Sequence, residues 1–129
     1  MTEEEFKNRT KQIPLRIINL VDSLPRTSSA NTISKQLLRS GMSIGANYWA
    51  ACRGKSSADV IHKLSIVEEE GDESIYWMEL LIESGIVSDK KLTPLISDVN
   101  EIVAMTVSSK KTIRIRQSQS KIQNQKSKI

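Results

Sequence analysis

Apolar residues recur at helical spacing in four stretches of this chain, separated by short polar joints. In the first, from about Glu3 to Leu24, Phe6, Ile13, Ile17, Val21 and Leu24 fall on one stripe. Glu3, Glu4 and Glu5 open it, where negative charge complements the helix dipole. Pro14 interrupts the pattern: it removes a donor and clashes one turn back, so the helix either kinks or begins there. Pro25 ends the segment, and Arg26 to Ser29 form a short connection.

The second stretch spans about Asn31 to Arg53, with Asn31 or Thr32 as a suitable cap. Ile33, Leu37, Gly41, Ile44, Tyr48 and Ala51 define one face, and Leu38, Met42, Gly45, Trp49 and Cys52 a second. A helix apolar on two faces needs two partners, one being the bundle core and the other a candidate for a second copy of the chain. Gly41 and Gly45, beside Ser40 and Ala46, weaken the helix on their own, which makes sense where a neighbouring backbone comes close. Gly41, Met42, Gly45 and Trp49 are therefore the expected packing or oligomer interface.

The third stretch, about Ser57 to Ser84, has Ser56 or Ser57 as cap and Gly85 as terminator. Val60, Leu64, Val67, Gly71, Ser74, Met78 and Leu81 form its inward stripe, next to the acids Glu68, Glu69, Glu70, Asp72 and Glu73. The fourth starts between Ser88 and Pro94, with Thr93-Pro94 as possible cap and first residue, and reaches about Arg116. Leu92, Leu95, Val99, Ile102, Val103 and Thr106 supply its buried side. Four helices, short joints and no alternating pattern predict an all-α, antiparallel up-and-down four-helix bundle over residues 1–116.

Composition agrees with that class: 129 residues, 38% apolar and 26% charged, suit one domain with a packed core. The longest uncharged stretch, Ser40 to Cys52, is shorter than the roughly 20 residues of a membrane span, so no membrane partner is expected. One cysteine cannot form a disulfide framework, and no basic-then-apolar leader opens the chain; both point to the cytoplasm.

Charge is distributed unevenly, and this changes the picture more than the net +4 does. From Ser108 onward there are seven basic residues, Lys110, Lys111, Arg114, Arg116, Lys121, Lys126 and Lys128, and no acid. The remaining 107 residues carry 12 basic and 15 acidic side chains, so the body is mildly acidic. Residues 117–129, rich in Gln, Ser, Asn and Lys, cannot offset their ordering entropy by apolar burial and are expected to form a mobile basic tail. Such a tail attracts polyanions, which nominates Lys110, Lys111, Arg114, Arg116 and Lys121 as contacts to RNA or DNA.

Catalytic constellations are hard to assemble. A di-metal carboxylate bundle needs two Glu-x-x-His motifs, and His62 is the one histidine. No metal or other cofactor is therefore expected. Cys52 has no positioned base beside it and reads as a buried thiol. The acid run has a structural explanation: Arg39 and Arg53, on the preceding helix of an antiparallel hairpin, are placed to pair with Glu70 and Glu73. An alternative use is as a docking ridge for a partner protein around Glu69, Glu70 and Glu73.

The segment Gln36 to Arg53 (QLLRSGMSIGANYWAACR), followed by Ser56 to Gly85 (SSADVIHKLSIVEEEGDESIYWMELLIESG), resembles the four-helix-bundle proteins encoded in intervening sequences of bacterial 23S rRNA genes. Its most telling pieces are Arg39 to Asn47 (RSGMSIGAN) and Lys63 to Glu70 (KLSIVEEE), and the likeness covers about three-quarters of the chain. Relatives often carry Glu where this chain has Ala50 and Pro where it has Gly45, while Asp72 to Trp77 matches a subgroup. The resemblance implies an up-and-down bundle that assembles as a ring, usually a homopentamer, with no established catalytic activity. A more distant relative, the accessory protein of diversity-generating retroelements, contacts a reverse transcriptase and nucleic acid. Two functions follow as expectations: a non-enzymatic, homo-oligomeric accessory protein that binds nucleic acid without strong sequence preference, or an oligomeric scaffold that docks a protein partner on the acidic third-helix ridge.

Overall fold

The computed structural model describes residues 1–127. Four helices follow one another, α1 (Glu3–Asp22), α2 (Ser28–Cys52), α3 (Ser57–Glu83) and α4 (Asp89–Ser127), with no strand among the described residues. Each start has a local cause. Thr2 and Glu5 form a reciprocal capping box on α1, the Glu5 amide donating to Thr2 Oγ1 at 3.1 Å. Thr27 accepts from the Ala30 amide at 3.2 Å and Ser56 from the Asp59 amide at 3.1 Å. Helix α2 thus begins before the expected Asn31 or Thr32, and α4 begins at Asp89, inside the expected window from Ser88 to Pro94 and ahead of Thr93-Pro94, with the Lys91 amide donating to Ser88 Oγ at 3.3 Å.

At the end of α3, Gly85 takes φ +78°, a left-handed conformation that disfavours a Cβ. The Ile86 amide then reaches the Leu81 carbonyl at 3.0 Å and the Gly85 amide the Ile82 carbonyl at 2.9 Å, the double bond of a Schellman stop.

Contacts fix the directions of the helices. Gly41 meets Ile17 while Trp49 meets Lys7, so α1 and α2 run oppositely. Ser40 meets Ser74 while Gly54 meets Val60, reversing α3 against α2. Gly71 meets Val103 while Ser65 meets Lys110, reversing α4 against α3. Arg16 pairs with Asp98 and Arg9 with Glu101, which closes α4 back onto α1. The result is the antiparallel up-and-down bundle that the spacing predicts.

The core follows the predicted stripes. Ile13, Ile17, Leu37, Ile44, Val67, Met78, Leu81, Val99 and Ile102 are all at most 1% exposed, and burial of each such side chain is worth about 1.5–3 kcal/mol. Val60 and Val103, placed on those stripes, are only partly buried. Thr10, Ser40, Ser74 and Thr106 are also buried, and each hydroxyl donates to a carbonyl of its own helix or to a neighbouring hydroxyl. Ser74 Oγ lies 2.9 Å from Ser40 Oγ, a polar pin between α2 and α3.

Pro14 neither breaks α1 nor starts it. Its missing N–H leaves the Thr10 carbonyl without a donor one turn on, and that carbonyl faces Gly45 of α2, where an added Cβ would lie 3.0 Å from the oxygen. Proline and glycine are thus two halves of one close helix crossing.

Candidate nucleic-acid interface and interaction faces

Two sets of charged residues define the surface chemistry, one on α4 and one between α2 and α3. On α4 the helix continues without a break past Arg116 to Ser127, so the expected boundary at residue 117 does not coincide with the end of an element. Glutamine, lysine and arginine are good helix formers, and α4 carries the helical backbone beyond the point where its buried stripe stops. From Ser118 to Lys126 every residue is exposed, a projection of about 15 Å at 1.5 Å per residue.

The five nominated phosphate contacts do not share one environment. Lys110 is not free: its Nζ sits 2.6 Å from Glu68 Oε2 and 3.2 Å from Ser65 Oγ on α3, with only 12% of its side chain exposed. That nomination is corrected, because an ammonium already neutralised by a carboxylate releases no phosphate counterion. Lys111, Arg114, Arg116 and Lys121 are exposed, and none makes an ion pair among the described residues. Arg114 and Lys121 lie on one stripe at a seven-residue spacing, Lys111 on the adjacent one and Arg116 on the opposite side, so the cations ring the helix. Lys126, also exposed, extends the series, and Lys128 lies outside the described residues.

Between α2 and α3, Arg39 reaches both expected acids. Its Nη1 is 3.2 Å from Glu70 Oε2 and its Nη2 contacts Glu73, whose Oε2 also accepts from Trp77 Nε1 at 3.0 Å. The antiparallel hairpin makes this fork possible, since α2 presents Arg39 level with two successive turns of α3. Arg53 does not join it: it occupies the exposed C-cap of α2 and pairs with no carboxylate among the described residues. Sequence spacing counted its charge but not the end of its helix. With Glu70 and Glu73 engaged, the ridge expected to dock a protein partner keeps only Glu69 fully outward.

The expected interface on α2 divides in the same way. Gly41 and Gly45 are buried against Ile17 and Thr10 of α1, so the second partner of this two-faced helix is, at those positions, within the chain. Trp49 also leans on α1: Nε1 donates to the Lys7 carbonyl at 3.4 Å, and the ammoniums of Lys7 and Lys11 lie 4.5 and 5.2 Å from its ring centroid. Met42 faces outward, 45% exposed.

Two pairs that local sequence does not reveal join α1 to α4. Arg9 Nη1 is 3.0 Å from Glu101 Oε1, and that hydrogen bond holds the guanidinium above its ordinary value. Arg16 pairs with Asp98. The partners lie 92 and 82 residues apart in the sequence, and only the bundle topology brings them together. Burial pushes the Cys52 thiol up to about 11, so it remains protonated near neutral pH and is a poor nucleophile. Burial likewise raises the neighbouring Tyr48 phenol. His62 is exposed on α3. Among the described residues no group of three or more His, Cys, Asp or Glu side chains is placed to hold a metal ion, and no helix is long and apolar enough to cross a membrane.

A family model for the 23S rRNA-intervening sequence protein matches residues 3–108. Among solved structures, a Bacteroides thetaiotaomicron protein of unknown function from the S23 ribosomal protein family superposes with a TM-score of 0.80 at 36% identity, covering 86% of this chain and 99% of that one. No curated protein matches. The matched segment takes in α1, α2, α3 and the packed half of α4, and stops where the exposed basic half begins. The chain belongs to the 23S rRNA-intervening sequence protein family.

Proposed function

We propose that this protein is a non-enzymatic, homo-oligomeric accessory protein, a ring of five by family resemblance, that binds RNA or DNA without strong sequence preference through the exposed half of α4. The observation that carries the reading is the acid-free stretch from Ser108 onward, whose cations Lys111, Arg114, Arg116, Lys121 and Lys126 are exposed and make no ion pair among the described residues. A rod ringed by positive charge suits the phosphate backbone and offers no aromatic side chain for base stacking. Several such rods on one assembly would multiply weak contacts by avidity.

Neutralising Lys111, Arg114, Arg116 and Lys121 to Gln tests this. Binding to a mixed RNA and DNA pool at low salt should fall sharply, and the slope of log affinity against log salt should shrink by about 0.7–0.9 for each phosphate no longer neutralised. Lys110→Gln, already committed to Glu68, should leave that slope unchanged. Equal binding by the wild type and the fourfold variant would remove α4 from the proposal.

A further inference from the structure

The outer seam between α1 and α2 holds an apolar pocket of about 260 Å³, lined by Lys11, Pro14, Gly45, Ala46 and Trp49. Leu15 and Met42, 46% and 45% exposed, stand on the same two helices, one residue from Pro14 and one turn from Gly45. The pocket follows from the close crossing: a glycine against a proline-freed carbonyl leaves a depression where side chains would otherwise meet. Lys7 and Lys11 at its rim contact the Trp49 ring and pair with no carboxylate among the described residues.

The outward face of α3 has the opposite character. Glu69, Asp72, Glu79 and Glu83 are all exposed, and none has a cationic partner among the described residues. Tyr76 stands in their midst, 50% exposed and backed by Trp77, whose ring stacks on it at 5.0 Å. An aromatic knob inside an acidic frame matches an apolar socket inside a basic one.

We propose that Tyr76 of one copy seats in the Pro14–Trp49 pocket of the next, with Asp72 and Glu79 against Lys7 and Lys11. The inference rests on the self-assembly proposed above and names the surfaces that perform it. Burying Tyr76 against Trp49 and Pro14 supplies aromatic contact, and the unpaired charges fix the direction of approach. Socket and knob lie on different faces of one chain, so each copy offers one of each and the contact is head to tail. Socket against socket would oppose lysine to lysine, and knob against knob carboxylate to carboxylate, which disfavours a twofold dimer through either face. Head-to-tail contacts close into a ring when the rotation per copy divides a full turn.

Charge exchange tests the pairing. Lys7→Glu/Lys11→Glu makes the socket acidic like the knob, and Asp72→Lys/Glu79→Lys puts lysines beside Tyr76 as they already stand beside the pocket. Each variant alone should sediment as a single 14.5 kDa chain at micromolar concentration with unchanged helicity, and mixing the two in equal amounts should restore the socket–knob contact in alternating particles larger than one chain, which an odd-numbered ring cannot close. Tyr76→Ala should weaken association at least tenfold. Wild-type particles that persist in either charge variant, or monomeric variants that fail to assemble when mixed, overturn this pairing while leaving self-assembly by another surface intact. A wild type that sediments as a single chain overturns both.

Discussion

Helix α4 contains two regions governed by different physics. From Leu92 to Thr106 every third or fourth residue is buried against α1 and α3, and the helix is held by what it packs on. From Ser118 to Lys126 the same helix touches no core, and its form rests on backbone hydrogen bonds and side-chain propensity. The family match ends at residue 108, close to where one regime gives way to the other. Stability therefore belongs to the packed half, and freedom to carry unbalanced charge belongs to the exposed half. A cation just past the packed half, Lys110, is still claimed by a carboxylate of its own bundle.

The sharpest way to break this contrast is to truncate an isoleucine in each half. Ile102→Ala opens a cavity at a residue 1% exposed and should cost about 2–5 kcal/mol in denaturant unfolding. Ile122→Ala, at a residue 54% exposed, should stay within about 0.5 kcal/mol of wild type. Similar destabilisation at both positions would mean that the end of α4 packs on the bundle.

Next in size is the α1–α2 crossing. Gly45→Leu forces a side chain against the Thr10 carbonyl, which is backbone and cannot swing aside, so melting should reveal a destabilisation of about 1–3 kcal/mol. Gly41→Ala is the milder partner experiment, because the obstructing atom there is the far end of the flexible Ile17 side chain. A stable Gly45→Leu protein would show that the helices separate freely at this point.

The smallest expected effect is a pH dependence. The folded Cys52 thiol titrates at about 11 against an ordinary 9.0, so folding favours its protonated form. That contribution is complete below pH 9 and is lost as pH rises toward 11, where unfolding should become easier and alkylation of the thiol faster. A Cys52→Ala variant should lose this part of the alkaline slope; identical slopes in both proteins would assign it elsewhere, for instance to Tyr48.

These regions also differ in how legible they are from sequence. The core stripes can be read directly, since Ile13, Leu37, Met78 and Ile102 repeat at the helical period and burial imposes that period. The Arg39 fork to Glu70 and Glu73 can be read as well, because a short hairpin sets two neighbouring helices in register. Helix α2 starts earlier than its apolar pattern because Ser28 and Ser29 carry no hydrophobic signal, and Thr27 provides the cap instead. Residues beyond Arg116 lack a buried stripe and so suggest a mobile tail, although their propensities permit a helix. The pairing of Lys110 with Glu68 and the exclusion of Arg53 depend on tertiary position, which no local pattern contains. The two faces of α2 are visible in the spacing, yet Gly41 and Gly45 turn to α1, leaving Met42 and the Trp49 pocket for the outer surface.

The unequal lengths of α1 and α4, 20 residues against 39, have a dynamic consequence. A solitary helical end opens turn by turn at little free-energy cost, whereas a packed turn opens only with its neighbours. Amide deuteration along α4 should therefore run as a gradient, fast at the tip and slow near Ile102, and a polyanion gripping the tip would flatten it.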